Sequence, residues 1–179
     1  MNSAIERVKN HLAYKLGQTV IEHRHNGGGG YLTLFKKLYK IKKQHQKEKQ
    51  IYQETIKVFP QLKYPNLETC PDYSESLRYK FHLSYMLGEV LIKADKTWHK
   101  GGGFKLKNNI KKVNKEFQIF REIFKEFDQI NSSVLKGLID NKQLFLKEFP
   151  RIKNILKIHQ DYKAILDNIF HNFNYFIQN

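Results

Sequence analysis

The residues best placed to do chemistry are lysines. Lys36, Lys37, Lys40, Lys42 and Lys43 follow the glycine run Gly27 to Gly30, and Lys105, Lys107, Lys111 and Lys112 follow a second run, Gly101 to Gly103. Cations near a helix N-terminus oppose the helix dipole, at a cost of about a few tenths of a kcal/mol each. A bound anion reverses that sign, because it engages free backbone N–H groups and ammonium groups together. Lys36, Lys37, Lys40, Lys105, Lys107, Lys111 and Lys112 are therefore the candidate anion ligands. The competing reading is a solvated, charged helix face.

Other chemistry finds less support. Neither glycine run leads into Gly-Lys-Ser/Thr and no strand pattern precedes them, so there is no Walker A loop. Glu22, His23 and His25 have metal-ligand chemistry, but side chains two apart on a helix diverge, and a solvated helix end is the simpler reading. Cys70 sits among prolines without a base at recognisable spacing and reads as a linker thiol. His11 and His82 recur inside an apolar motif, which favours packing or interhelical hydrogen bonding over catalysis. Gly17 and Gly88 each follow a tyrosine, Tyr14 and Tyr85, by three residues. A glycine within a helix costs roughly 1 kcal/mol relative to alanine, so its presence in both copies points to close helix approach or to room for an aromatic ring. No catalytic set, cofactor or metal is expected.

These residues belong to an internal repeat. His11-Leu12-Ala13-Tyr14-Lys15-Leu16-Gly17-Gln18-Thr19-Val20-Ile21 returns as His82-Leu83-Ser84-Tyr85-Met86-Leu87-Gly88-Glu89-Val90-Leu91-Ile92, and Ile51 to Phe59 aligns with Ile119 to Phe127. A repeat of this size implies stacked supersecondary units. In the first copy a Ser3-x-x-Glu6 capping box opens a helix in which Ile5, Val8, Leu12, Leu16 and Val20 form one stripe. Glycines 27 to 30 end it, and a second helix runs from about Tyr31 to Phe59 with Leu34, Leu38, Ile41, Tyr52, Ile56 and Phe59 on one side. The second hairpin uses about Ser74 to Lys96 and Phe104 to Ile130, with Ile110, Val113, Phe117, Phe120, Phe124 and Phe127 in heptad spacing. A degenerate third pair follows: Val134 to Phe149, capped from Asn131-Ser132-Ser133, then a helix opening at Pro150 and carrying Ile152, Leu156, His159, Tyr162, Leu166, Ile169, Phe173 and Phe176.

The expected fold is all-α, tandem αα-hairpins packed as a helical bundle or short solenoid without a sheet. Its parts are a first hairpin at 1–64, a proline-containing linker at 65–73, a second hairpin at 74–131 and a C-terminal helical pair at 132–179. The single cysteine excludes an internal disulfide and fits a reducing compartment. With no signal-peptide pattern and no run long enough to span a bilayer, the expected location is cytoplasmic, with peripheral contact at the inner-membrane face.

Net charge is +15, from 32 Lys and Arg against 17 Asp and Glu, which favours anionic partners. The plentiful Lys, Asn, Ile, Phe and Tyr also match AT-rich coding, which accounts for part of that excess. Against this background seven of ten glycines fall in two runs, as a phase-variable poly-G tract in the gene would produce.

The motif Arg7-Val8-Lys9-Asn10-His11-Leu12-Ala13-Tyr14-Lys15-Leu16-Gly17-Gln18, with Gly30-Tyr31-Leu32-Thr33-Leu34 after it, resembles a repeat found in glycosyltransferases and related proteins that build lipooligosaccharide and capsule in Campylobacter and Helicobacter relatives. The second copy, Tyr79 to Gly88 with Gly103-Phe104-Lys105-Leu106, is similar. In those proteins the repeat lies outside the catalytic domain. The Asp-x-Asp pair of metal-dependent nucleotide-sugar enzymes is missing here, as is any α/β nucleotide-binding pattern. The resemblance thus implies a noncatalytic module of a surface-glycan glycosyltransferase system, acting in membrane-surface docking or assembly. Its implied partners are a glycosyltransferase catalytic domain or another glycan-assembly protein and an anionic membrane, with oligomerisation open. The alternatives are a basic nucleic-acid-binding helical protein, although no helix-turn-helix is recognisable, and a glycosyltransferase-related enzyme fragment.

Overall fold

The computed structural model describes residues 3–27, 29–97, 102–126 and 132–178. Gly28, Gly101, Phe127, Ile130 and Asn131, which entered the expectations above, lie outside them. The described residues are all-α. Eight helices are ordered α1 (Ala4–Lys9), α2 (Leu12–His25), α3 (Tyr31–Val58), α4 (Tyr73–Arg78), α5 (Leu83–Lys96), α6 (Gly102–Glu126), α7 (Ser132–Asp140) and α8 (Lys142–Gln178), with short 3₁₀ turns at Pro60–Leu62, Leu67–Thr69 and Tyr79–Phe81. The chain divides into two compact units, Met1–Lys136 and Gly137–Asn179.

Within the first unit the two copies of the repeat pair face to face. Helix α2 packs along α5, α3 lies on α2, α6 lies on α5, and the short helices α1 and α4 pair with each other. This is a bundle in which every element of one copy meets, or mirrors, its counterpart in the other. The two hairpins and the linker expected between them therefore share one core, formed by Ala4, Val8, Ala13 and Leu16 from the first copy with Leu77, Phe81, Met86, Leu87, Val113 and Phe120 from the second.

Each inner helix is shorter than its apolar stripe implied. The expected single helix from Ser3 breaks before His11, and that from Ser74 breaks before His82; both histidines take extended backbone angles, φ −62° and ψ 142° in one and φ −65° and ψ 143° in the other. At α1, Ser3 Oγ accepts the Glu6 N–H at 3.1 Å, as the capping box requires. The carboxylate at this helix start is supplied by Asp72, which accepts from Ser3 Oγ at 2.6 Å, Ala4 N at 2.7 Å and Ile5 N at 3.0 Å. Those bonds hold its carboxyl at about 2.

Gly27 sits at φ +58°, just past α2, where an L side chain would be strained. The stretch before α4 is folded back rather than extended: Tyr64 stacks on Tyr52 at 4.7 Å, its N–H donates to Tyr52 Oη at 2.9 Å, and Cys70 is buried with its thiol directed at Asn66 O. Cys70, expected as a linker thiol, is buried.

In the second unit the break falls at Asn141, not at Pro150. The Asn141 backbone N–H and Nδ2 both donate to Gly137 O, at 2.9 and 3.2 Å, and Phe145 N donates to Asn141 O. Helix α8 runs through Pro150, whose missing N–H leaves the Leu146 carbonyl without its usual donor.

Candidate functional site

The α2–α5 crossing brings the motif residues together by reciprocity. A Cβ on Gly17 would overlap the Ser84 carbonyl, and a Cβ on Gly88 would overlap the Ala13 carbonyl. Ala13 and Ser84 are equivalent repeat positions, as are Gly17 and Gly88, so the helices cross on a pseudo-twofold axis through two small-xxx-small faces. The backbones can approach this closely only because neither glycine carries a side chain. Ser84 Oγ donates to Gln18 Oε1 at 2.9 Å beside the crossing.

The same axis pairs each histidine with the tyrosine of the other copy. His11 stacks on Tyr85 with ring centroids 5.4 Å apart, and His82 faces Tyr14 at 6.2 Å, with Tyr14 Oη 3.5 Å from His82 Nδ1. Both imidazoles titrate below their ordinary value. Desolvation against the crossing is the main cause in each, reinforced by the positive charges of His45 and Lys80 at His11 and of Lys9 at His82. His11 Nδ1 accepts the Ala13 N–H at 3.3 Å, so the neutral ring carries its proton on Nε2 and presents it as a donor. Burial, followed by the charge of Glu89, raises the Tyr85 hydroxyl and keeps it protonated.

The two ends of the crossing are filled differently. At the His82 end, Tyr79 lies 4.5 Å from the His82 ring, Lys9 sits over Tyr79 at 4.7 Å, and Arg78 rests on Phe124 at 5.7 Å. At the His11 end the position equivalent to Tyr79 is Val8, and a cavity of about 280 Å³ opens between Arg7, Val8, His11, Leu67, Lys80 and Tyr85. Arg7 is held there by a 2.7 Å bond from Nη1 to Pro65 O and by the Tyr64 ring. Arg7 and Lys80, not among the residues expected from sequence, join His11 and Tyr85 here. The signal was present, because Arg7-x-Lys9-x-His11 and Arg78-x-Lys80-x-His82 keep the repeat offset.

The glycine-run lysines occupy two separate helices. Lys36, Lys37 and Lys40 are exposed on α3, and Lys105, Lys107, Lys111 and Lys112 are exposed on α6. Lys112 lies 3.8 Å from Glu116, and Lys42 is bonded to Asp95 at 2.6 Å. On α3 the lysines have apolar company: Tyr31, Leu32, Phe35 and Tyr39 are 83%, 78%, 49% and 67% exposed. At 3.6 residues per turn these four fall within an arc of about 100°, and Lys36, Lys40, Lys43 and Lys47 form the adjacent stripe; Lys37 points elsewhere. Phe35 and Tyr39 also border a cavity of about 580 Å³ that reaches Leu12, Leu16, Leu91 and Leu106.

No group of three metal-binding side chains occurs among the described residues. His23, considered as a ligand, is buried and donates from Nε2 to Gly29 O at 2.8 Å, tying the glycine turn to α2. No helix among the described residues is long and apolar enough to cross a membrane.

No curated protein and no solved structure matches the chain. A family model described as "Domain of unknown function (DUF8374)" matches residues 1–119, a span that takes in both copies of the motif, helices α2 and α5 and most of α6. The reciprocal α2–α5 crossing thus lies within the matched region, and the chain belongs to this family.

Proposed function

We propose that this chain is a noncatalytic helical docking module that attaches to an anionic membrane surface through α3. The observation that carries the reading is the exposed Tyr31, Leu32, Phe35 and Tyr39 arc beside Lys36, Lys40 and Lys43. Aromatic and aliphatic side chains next to lysines suit the headgroup boundary, where rings enter the interface and ammonium groups meet lipid phosphates. The net charge of +15 acts in the same direction. The likeness of the motif to repeats of lipooligosaccharide and capsule glycosyltransferase systems supports a place in glycan assembly, with a catalytic protein as the partner brought to the membrane.

Sedimentation with vesicles provides the test. The chain is expected to pellet with phosphatidylglycerol-containing vesicles and not with phosphatidylcholine alone. A Lys36→Gln, Lys40→Gln, Lys43→Gln variant and a Tyr31→Ser, Leu32→Ser variant should each lose most of that binding. Salt-sensitive binding to duplex DNA without binding to anionic vesicles would overturn the reading in favour of a nucleic-acid partner. Glycosyl transfer by the isolated chain would overturn its noncatalytic part.

A further inference from the structure

The open end of the α2–α5 crossing has the makings of a binding site separate from the α3 face. We propose that the cavity lined by Arg7, Val8, His11, Leu67, Lys80 and Tyr85 binds a phosphate monoester, the phosphate meeting the four polar side chains and the substituent resting on Val8 and Leu67.

Every polar side chain lining this cavity can donate a hydrogen bond. Arg7 uses one N–H on Pro65 O and keeps four others. His11 offers Nε2–H because Nδ1 is engaged by Ala13, Lys80 offers an ammonium, and Tyr85 offers a hydroxyl. No carboxylate lines the space; Glu68, adjacent in sequence to Leu67, is bonded to Lys136 at 2.7 Å, and Glu89, whose charge reaches Tyr85, stands outside the lining. Arg7 and Lys80 therefore stand in the lining without a carboxylate among the lining groups, and Lys80, after burial and His45, lowers the proton affinity of His11. A guanidinium and an ammonium together suit a phosphate, which accepts from both.

The opposite end of the crossing shows that this cavity is not forced by the fold. There the equivalent position is Tyr79, whose ring lies against His82 with Lys9 over it, and Arg78 is turned onto Phe124. Val8 in place of a tyrosine leaves the His11 end open. A volume of about 280 Å³ lies at the lower edge of the range of ligand pockets, which suits a small phosphomonoester better than a nucleotide.

Calorimetry on the full chain at low salt, with inorganic phosphate and glycerol 3-phosphate as probes, decides the matter. Saturable one-to-one binding of glycerol 3-phosphate is expected, together with a shift of the His11 ring resonances. Arg7→Gln and Lys80→Gln should each weaken it by roughly tenfold, about 1.4 kcal/mol, while Lys80→Arg retains it. Val8→Tyr, which copies the Tyr79 end, should abolish it, with circular dichroism reporting the fold. If that variant does not fold, Lys80→Gln against Lys80→Arg carries the same decision. The α3 substitutions Lys36→Gln, Lys40→Gln and Lys43→Gln should leave glycerol 3-phosphate binding unchanged.

A second arm compares vesicles of phosphatidic acid and phosphatidylglycerol using the α3 triple-Gln variant. A preference for phosphatidic acid that Lys80→Gln removes identifies a lipid phosphate as the source. Equal behaviour of the two vesicles alongside glycerol 3-phosphate binding identifies a soluble one. Absence of saturable binding to every probe, or binding that survives both Arg7→Gln and Lys80→Gln, overturns the proposal.

Discussion

The two copies of the repeat share a motif and a backbone plan, yet their outer helices have opposite fates. Helix α6 sinks Val113, Glu116, Phe120 and Ile123 into the core, and Phe81 meets Phe120 at 4.6 Å. Helix α3, three residues longer, buries none of its residues. The inner helices α2 and α5, between them, are nearly interchangeable. The crossing is thus the part that the repeat holds in common, while the outer helix is free to diverge, one copy supplying core and the other supplying surface.

Truncation at equivalent outer positions should separate the two helices most. Phe120→Ala should cost about 3–5 kcal/mol in urea unfolding, as expected for a fully buried aromatic. Its counterpart Tyr52→Ala should cost only about 1 kcal/mol, because Tyr52 is half-buried and stacks mainly on Tyr64. Equal losses would show that α3 is as embedded as α6.

The crossing predicts the opposite pattern, namely equal effects. Gly17→Ala and Gly88→Ala should each destabilise by about 3 kcal/mol or more, since the obstacle in both is a backbone carbonyl that cannot rotate away. A difference of more than about 1 kcal/mol between the two, small against the usual span of point-mutant effects, would break the pseudo-twofold description.

Smaller effects come from titration. Asp72 has its carboxyl lowered to about 2 by Ser3, Ala4 and Ile5. The stability it lends is present above its ordinary value near 3.8 and is lost as pH falls through about 2. An Asp72→Asn variant should show a flatter acid unfolding curve over that window. At the crossing, His11 and His82 are lowered in the folded protein, so the unfolded chain binds more protons as pH falls. Their contribution is complete above about pH 6.5 and declines below it. The melting temperature should therefore drop modestly between pH 7.5 and 5.5, and the drop should shrink in a His11→Gln, His82→Gln variant.

Much of this architecture was legible in residue spacing. The heptad Ile110, Val113, Phe117, Phe120 and the glycine turn at Gly27 read directly into α6 and into the end of α2, because helical periodicity and positive φ are local properties. The stripe Leu34, Leu38 and Ile41 was equally regular, but a stripe does not reveal how much will cover it. The lysines after each glycine run were conspicuous by number, whereas Arg7 and Lys80 converge only because two segments 73 residues apart in sequence meet at the crossing.

Residue patterning alone carries an all-α chain, two copies of one helical hairpin, and a glycine kept inside a helix of each copy. These follow from apolar periodicity, repetition and the absence of a side chain. Only the tertiary structure decided that the copies meet face to face, that each inner helix restarts at its histidine, and that one end of the crossing sets Tyr79 against His82 while the other stays open at Val8. The histidine positions have no proline or glycine to force a break; the ring of each lies against the tyrosine of the other copy. Such contacts join residues far apart in the chain, and their geometry exists only after both helices have packed.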